Sequence, residues 1–336
     1  MLIAWELTRA CGLKCRHCRA TAIPHRDPGE LSTAEIFRVL EEIAGLRPHR
    51  PVMIFTGGDP TERPDLSEIL ARSVSLGLIT AVSPSVTPRL TDAVISGWAR
   101  AGVHTVSISI DGSVADVHDR FRGVPGTFAA SLAAARSVVE HGLPLQVNTS
   151  ISPETPGPLE SMAELVRGLG ARRWELFFVI GTGRARELPA LSAEATESVL
   201  VWLAGHAPAA PYRITTVAAP QFRRVREQLA PSGRKAEGPV VKEGRGFAFI
   251  DHLGHVAPNG YLPVDAGNIR RETFSAIYRD SPLFRVLRDT SRLKGRCGRC
   301  PYREVCGGSR ARAYAETGDI LAEDPACPYQ PEMAAS

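Results

Sequence analysis

The chain has 336 residues, 43% hydrophobic and 23% charged, a composition that excludes global disorder and suits one large domain with a smaller one attached. With 40 basic residues against 36 acidic ones, the net charge of +4 gives no argument for a nucleic-acid partner. Met1 to Trp5 is apolar only until Glu6 and Arg9, so neither a signal peptide nor a membrane span fits, and a cytoplasmic location is expected.

As far as about residue 190, short β-branched or apolar runs alternate with helical patterns, the signature of βα units around a parallel sheet. The first predicted strand, Leu2–Thr8, runs into an unusual loop, Thr8–Ala20. A helix over Thr33–Leu46 follows, with Ser32 or Thr33 as N-cap and Glu35 in the first turn. Then come a strand at Val52–Thr56, the loop Gly57–Pro64 and a helix at Leu66–Leu76. The third strand, Ile79–Ser83, leads to a helix at Asp92–Ala101, and the fourth, Thr105–Ile110, to the loop Asp111–Gly126 and a helix at Thr127–His141. Strand Leu145–Thr149, helix Leu159–Leu169 and strand Trp174–Ile180 complete the pattern, with the loop Gly181–Arg186 after the last. Six units are too few for an eight-fold barrel, which leaves a partial barrel or an open doubly wound sheet. Both put the site at the C-terminal strand ends, where the unusual loops fall. The Pro-containing, charge-mixed stretch Ala207–Gly246 reads as a connector, and its basic runs, Arg223 to Arg226 and Arg234-Lys235, as solvated surface. A β-hairpin of Phe247–Ile250 and His255–Ala257 about Gly254 opens the cysteine-rich C-terminal part.

In a reducing compartment the seven cysteines suit metal ligation or catalysis better than a disulfide framework. Cys11, Cys15 and Cys18 form C-x3-C-x2-C directly after the first strand, and three thiolates on a short loop can hold three corners of a cubane cluster while one iron stays open. A zinc site with His17 as the fourth ligand is the alternative. Cys297, Cys300, Cys306 and Cys327, in C-x2-C-x5-C-x20-C, close a tetrahedral zinc site or a fully ligated iron–sulfur cluster equally well. Three plus four uses every cysteine, leaving no thiol as a nucleophile. At the end of the second strand, Gly57-Gly58-Asp59-Pro60 allows close backbone approach to a ligand. Asp59 with nearby carbonyls can receive an ammonium group, although Gly-Asp-Pro is also common turn chemistry.

These residues resemble the radical S-adenosylmethionine enzymes along nearly the whole chain. Cys11 to Cys18 matches the family's cluster loop, and Gly57, Gly58, Asp59 and Pro60 its glycine-rich motif, which binds the methionine amino group. Ser107 to Gly112, with Ser109 and Asp111, resembles the segment near the cofactor ribose. His118 to Gly123 resembles the segment whose arginine, here Arg122, meets the methionine carboxylate. Asn148, Gly181 and Thr182 stand where the family contacts ribose and adenine. The tail resembles the auxiliary-cluster domains called SPASM and twitch. Asn259 stands where one expected cysteine would be and Arg310 where another would, which implies that only one auxiliary cluster remains. The resemblance therefore implies an α/β fold, a partial (β/α)6 TIM-like barrel over 1–206, a connecting segment over 207–246 and a SPASM/twitch-like domain over 247–336. It also implies two 4Fe–4S clusters, one binding S-adenosylmethionine and one auxiliary, and a flavodoxin- or ferredoxin-type electron donor.

The reaction implied is reductive cleavage of S-adenosylmethionine to a 5′-deoxyadenosyl radical that abstracts a substrate hydrogen. The expected substrate is a carboxylate-bearing small molecule, first a sugar or nucleoside acid undergoing decarboxylation, with Arg184, Arg186 and Arg213 as candidate cations. Tetrapyrrole side-chain modification and peptide maturation are the other enzymatic readings, and a zinc-stabilised binding protein is the non-enzymatic one.

Overall fold

The computed structural model describes residues 1–46, 50–155, 157–230 and 240–331. Arg234 and Lys235, expected on the surface, lie outside the described residues. The strands are β1 Leu2–Glu6, β2 Val52–Thr56, β3 Ile79–Val82, β4 Thr105–Ser109, β5 Leu145–Ile151, β6 Arg173–Phe178, β7 Arg213–Val217, β8 Phe247–Ile250, β9 His255–Ala257 and β10 Gly267–Asn268. The barrel helices are α1 Thr33–Ala44, α2 Leu66–Ser75, α3 Asp92–Arg100, α4 Ala115–Arg122, α5 Thr127–Glu140, α6 Leu159–Gly168, α7 Ala193–His206 and α8 Gln221–Leu229. The tail adds α9 Phe274–Asp280, α10 Pro282–Arg288, α11 Gly295–Arg299 and α12 Arg310–Thr317.

Strands β1 to β7 lie side by side in chain order, every pair parallel, as successive βα units require. The fold is α/β, a partial barrel of parallel strands. Alternation along each strand sorts its residues by face. Ile3, Trp5, Val106, Ile108, Val147, Trp174 and Leu176 point outward and are fully buried with Ile36, Val39, Leu40, Ile69 and Val138 of the helices. Each such aliphatic side chain contributes roughly 1.5–3 kcal/mol through burial. The opposite face carries Ala4, Ile54, Ser109, Asn148, Glu175 and Thr215, all partly exposed, so the barrel interior is an open lumen. A closed barrel fills that space with layers of branched aliphatic side chains.

Helix α1 starts in a capping box. Ser32 Oγ accepts from Glu35 N at 3.3 Å, and Glu35 Oε2 accepts from Ser32 N at 2.8 Å. Ser32, not Thr33, is thus the cap.

The stretch expected to be a connector departs most from the sequence reading. It holds β7, paired parallel to β6, and α8. Within the basic run there, Arg224 is buried rather than solvated, because α8 turns Phe222, Arg224 and Val225 toward the protein. The predicted hairpin is present as antiparallel β8 and β9, but β8 also pairs parallel with β1, Leu2 opposite Phe247 and Trp5 opposite Ile250. The boundary placed at residue 246 therefore falls inside one continuous sheet of ten strands.

Candidate active site

The loop after β1 is fixed at its base before any cofactor is considered. Thr8 is fully buried and its hydroxyl donates to Glu30. Arg63, also buried, donates to Leu31 O at 3.0 Å and grips Asp65 through Nε and Nη2 at 2.9 and 2.6 Å. Cys11 N donates to Ile23 O at 2.9 Å and Ile23 N to Arg9 O at 3.0 Å, closing the loop on itself.

The glycines after β2 serve this loop. A Cβ on Gly57 would lie 2.6 Å from Thr8 O, and one on Gly58 2.4 Å from Ala10 O, closer than real side chains approach. Their close contact is with the chain itself and not with space left for a ligand. Gly58 N and Asp59 N donate to Thr8 O and Ala10 O, each at 2.7 Å. Asp59 is fully buried, accepting from Thr61 N at 3.0 Å and Thr87 Oγ1 at 2.7 Å, and it caps the short 3-10 turn that Pro60 opens. That carboxylate, expected to meet an ammonium group, is already committed to its turn.

The three loop thiols have distinct partners. Cys11 Sγ lies 3.5 Å from Ser85 Oγ, Cys18 Sγ accepts from Ala22 N at 3.5 Å, and Cys15 Sγ faces Arg122 Nη1 at 3.9 Å. Burial pushes the Cys11 thiol up to about 11 and raises that of Cys15. A bound cation must therefore supply the charge that makes them thiolates. His17 stacks on Phe121 with centroids 4.2 Å apart and planes within 6°, and burial holds it neutral by pushing its pKa to about 3.

Next to the loop stands a buried ion pair. Arg122 Nε and Nη2 donate to Asp111 Oδ2 at 2.7 and 2.6 Å, while Asp111 Oδ1 accepts from Ser150 N at 2.7 Å. Burial alone would raise the Asp111 carboxyl, but the Arg122 guanidinium overrides it and holds the pKa well below the usual carboxylate range. Asp111 N donates to His118 Nδ1 at 3.0 Å, which puts the proton of the neutral ring on Nε2. His118 is 1% exposed and that Nε2 has no hydrogen-bond partner among the described residues. The ring lines a hollow of about 180 Å³ together with Leu13, Ser109 and Arg122. An orphaned donor, a guanidinium and a hydroxyl around one space fit the carboxylate and ribose of S-adenosylmethionine.

The loop after β6 closes the other side. Gly183, at φ +55°, is pressed so tightly on the cysteine loop that a Cβ would sit 2.4 Å from Arg19 O. Arg184 donates from N to Cys18 O and from Nε to Cys15 O, both at 3.0 Å. Beside Gly181, Thr182 Oγ1 is buried with no hydrogen-bond partner among the described residues. Asn148 Oδ1 accepts from Gln146 Nε2 at 2.8 Å in the lumen, and Gln146 also donates to Glu175 at 2.9 Å. Of the cations expected to receive a substrate carboxylate, Arg184 donates to the loop through N and Nε while its Nη2 is buried with no hydrogen-bond partner among the described residues, and Arg186 is exposed on a 3-10 turn. Arg213 begins β7, at the end of the barrel opposite the cysteines.

The second cysteine group lines an open-mouthed hollow of about 380 Å³ with Arg224, Arg296, Asp324 and Tyr329. Among the described residues no three Cys, His, Asp or Glu side chains gather as the ligands of one metal ion. All four cysteines line the hollow together. Burial raises the Cys300, Cys306 and Cys327 thiols. Guanidinium groups face two of the sulfurs, Arg310 Nη2 at 3.7 Å from Cys297 and Arg224 Nη2 at 3.8 Å from Cys327. Arg310 is buried and also donates to Ile320 O and Ala322 O at 3.1 and 2.6 Å, so the residue in place of an expected cysteine buttresses this group. Asn259, the other departure, caps its own turn by accepting from Tyr261 N at 2.9 Å.

Arg224 comes from the barrel helix α8, is anchored on Glu197 at 2.7 and 2.5 Å, and stacks over Tyr329 at 5.1 Å. A cation there favours the more negative, reduced state of a cluster. Arg224→Gln is expected to lower the auxiliary cluster's reduction potential by on the order of 60 mV, the one-electron equivalent of about 1.4 kcal/mol. Redox titration followed by electron paramagnetic resonance checks this, and an unchanged potential would confine Arg224 to a packing role.

The Radical SAM superfamily matches residues 5–166. The chain is 38% identical to an AdoMet-dependent heme synthase of Methanosarcina barkeri, over 98% of this chain and 97% of that protein. It is 39% identical to an AdoMet-dependent heme synthase of Oleidesulfovibrio alaskensis, over 98% and 87%. A Dinoroseobacter shibae pre-heme d1 synthase is 32% identical over 97% and 85%. In fold it is similar to Streptococcus suis SuiB bound to S-adenosylmethionine, with a TM-score of 0.75 at 15% identity over 98% of this chain and 77% of that one. With such relatives along its whole length, and with cysteine groups that suit two 4Fe–4S clusters beside a hollow that suits S-adenosylmethionine, this chain belongs to the radical SAM superfamily of enzymes.

Proposed function

We propose that the protein is a radical enzyme of haem formation that removes carboxylate from the side chains of an iron tetrapyrrole. The observation that carries this reading is identity of 38% and 39% to AdoMet-dependent heme synthases along 98% of the chain. A PqqA peptide cyclase of Rhodopseudomonas palustris is 31% identical, so a peptide substrate has the weaker support. The same relatives favour a tetrapyrrole over the sugar or nucleoside acid that the sequence first suggested.

In this reading Cys11, Cys15 and Cys18 hold the cluster that binds S-adenosylmethionine, and Cys297, Cys300, Cys306 and Cys327 hold the auxiliary one. When bound, these groups would supply the one-electron reduction, the hydrogen-atom abstraction and the electron acceptor that an oxidative decarboxylation of a side chain requires. The chain's own residues position and shield. Arg122 and the His118 Nε2–H meet the cofactor carboxylate, and Ser109, Asn148, Gly181 and Thr182 line its nucleoside. Asp111 keeps Arg122 charged and aimed. Asp59 and the glycines hold the loop that presents the open iron, and the lumen takes the substrate while excluding bulk water.

The test is an anaerobic assay with reductant, following 5′-deoxyadenosine and carbon dioxide by mass spectrometry across a panel. Iron coproporphyrin III is expected to stimulate both products strongly over the substrate-free rate. Stimulation only by a peptide or a nucleoside acid would reject the substrate while leaving the radical chemistry standing.

A further inference from the structure

The geometry points to Arg19 and Tyr261 as the clamp for the carboxylate of the reacting side chain. This rests on the tetrapyrrole reading above and names the groups that would make it selective. Arg19 directly follows Cys18, so whatever its guanidinium binds lies beside the cluster loop. Three neighbours fix that guanidinium. Nη1 donates to Glu6 Oε2 at 2.9 Å, the Phe249 ring lies beneath it with its centroid 4.6 Å from Cζ, and a Cβ on Gly260 would be 3.2 Å from Cζ. The remaining N–H donors have no hydrogen-bond partner among the described residues, and the side chain keeps 18% of its surface exposed.

Glu6 meets only one edge of Arg19, since its other oxygen is taken by His252 Nδ1 at 3.0 Å. A planar guanidinium held on one edge and open on another is suited to a carboxylate. Tyr261 follows Gly260, and its hydroxyl also has no hydrogen-bond partner among the described residues. Gly260 abuts the Arg19 guanidinium, so Tyr261, the residue that follows it, stands beside Arg19 and the cysteine loop. Burial raises the Tyr261 hydroxyl, with Arg19 offsetting part of the rise, so it stays a proton donor at neutral pH. Arg19 and the segment that carries Tyr261 are thus brought together at the cysteine loop from chain positions more than 240 residues apart.

The experiment is an anaerobic titration of the holoenzyme with iron coproporphyrin III and with its methyl ester, read from the Soret band. The wild type, Arg19→Gln, Arg19→Lys and Tyr261→Phe are compared, with iron content and S-adenosylmethionine binding confirming an intact site. Wild type is expected to prefer the acid over the ester by at least about tenfold. Arg19→Gln should lose roughly tenfold to hundredfold in affinity for the acid and little for the ester, with partial recovery in Arg19→Lys. Tyr261→Phe, which keeps the ring and its packing, should lose a few-fold for the acid alone. Unchanged acid affinity in Arg19→Gln and Tyr261→Phe, with wild type still preferring the acid, would overturn the clamp and spare the tetrapyrrole reading. If Arg19→Gln fails to fold, unchanged affinity in Tyr261→Phe overturns it alone. A wild type that binds neither form would overturn the tetrapyrrole reading and the clamp with it.

Discussion

Replacing Cys11, Cys15 and Cys18 together by alanine is expected to leave a folded protein with about half its iron and no detectable 5′-deoxyadenosine formation. The two cysteine groups are separately built. The first hangs on the loop after β1 and is braced by Arg63, Gly57, Gly58 and Arg184. The second stands in the tail around its own hollow, braced by Arg310 and Asp324. Asp324 accepts from Ser309 N at 2.6 Å and Gln221 Nε2 at 2.7 Å, so the tail is tied to α8 without help from the first loop. Two four-iron clusters of equal content then make the loss about half. Iron analysis and product assay of the purified triple variant check it, and full retention of iron would contradict the assignment of two clusters.

Asp111→Ala is expected to destabilise the protein by ~3–5 kcal/mol, the usual cost of stripping one partner from a buried ion pair. Arg122 would keep its charge, with Cys15 Sγ at 3.9 Å as its remaining hydrogen-bond contact, and Ser150 N would lose its acceptor, while the backbone bond from residue 111 to His118 is kept. The same pair sets an acid dependence. Because the folded carboxyl of Asp111 is held below its unfolded value, near 3.9, its stabilisation is complete above that value and drains away as pH falls below it. Wild type should therefore lose stability relative to Asp111→Ala on acidification below about pH 4. Denaturant unfolding of both proteins across that range checks the sign, and parallel curves would contradict it.

How far the sequence could be read follows from which signals are local. Strands β1 to β6 were legible because each is a short β-branched or apolar run between helical patterns. Strand β7, Arg-Ile-Thr-Thr-Val, escaped notice because only one face is apolar and it follows the proline-containing stretch Ala207 to Tyr212. Helix α4 was read as loop because its residues are mostly polar, with only His118 and Phe121 buried. The cysteines were legible by spacing, since ligands to one cluster must come from a few close positions or a fixed pair of loops. Arg19, Glu6, His252 and Tyr261 were not, because nothing in the sequence near residue 6 announces a partner at 252. Asp59 was visible, but its contacts with Thr61 and Thr87 were not, because nothing in the sequence marks which groups a turn carboxylate accepts from. Arg224 was discounted as part of a charge run, although its helix faces the tail.

In the proposed function a radical formed at the loop of Cys11, Cys15 and Cys18 takes hydrogen from a tetrapyrrole side chain. Iron coproporphyrin III carrying deuterium on its propionate methylenes tests it most directly, with the 5′-deoxyadenosine analysed by mass spectrometry after anaerobic turnover. The account predicts deuterium in the 5′-deoxyadenosine and loss of carbon dioxide from the tetrapyrrole. Unlabelled 5′-deoxyadenosine formed at the substrate-free rate, with the tetrapyrrole recovered intact, would contradict it.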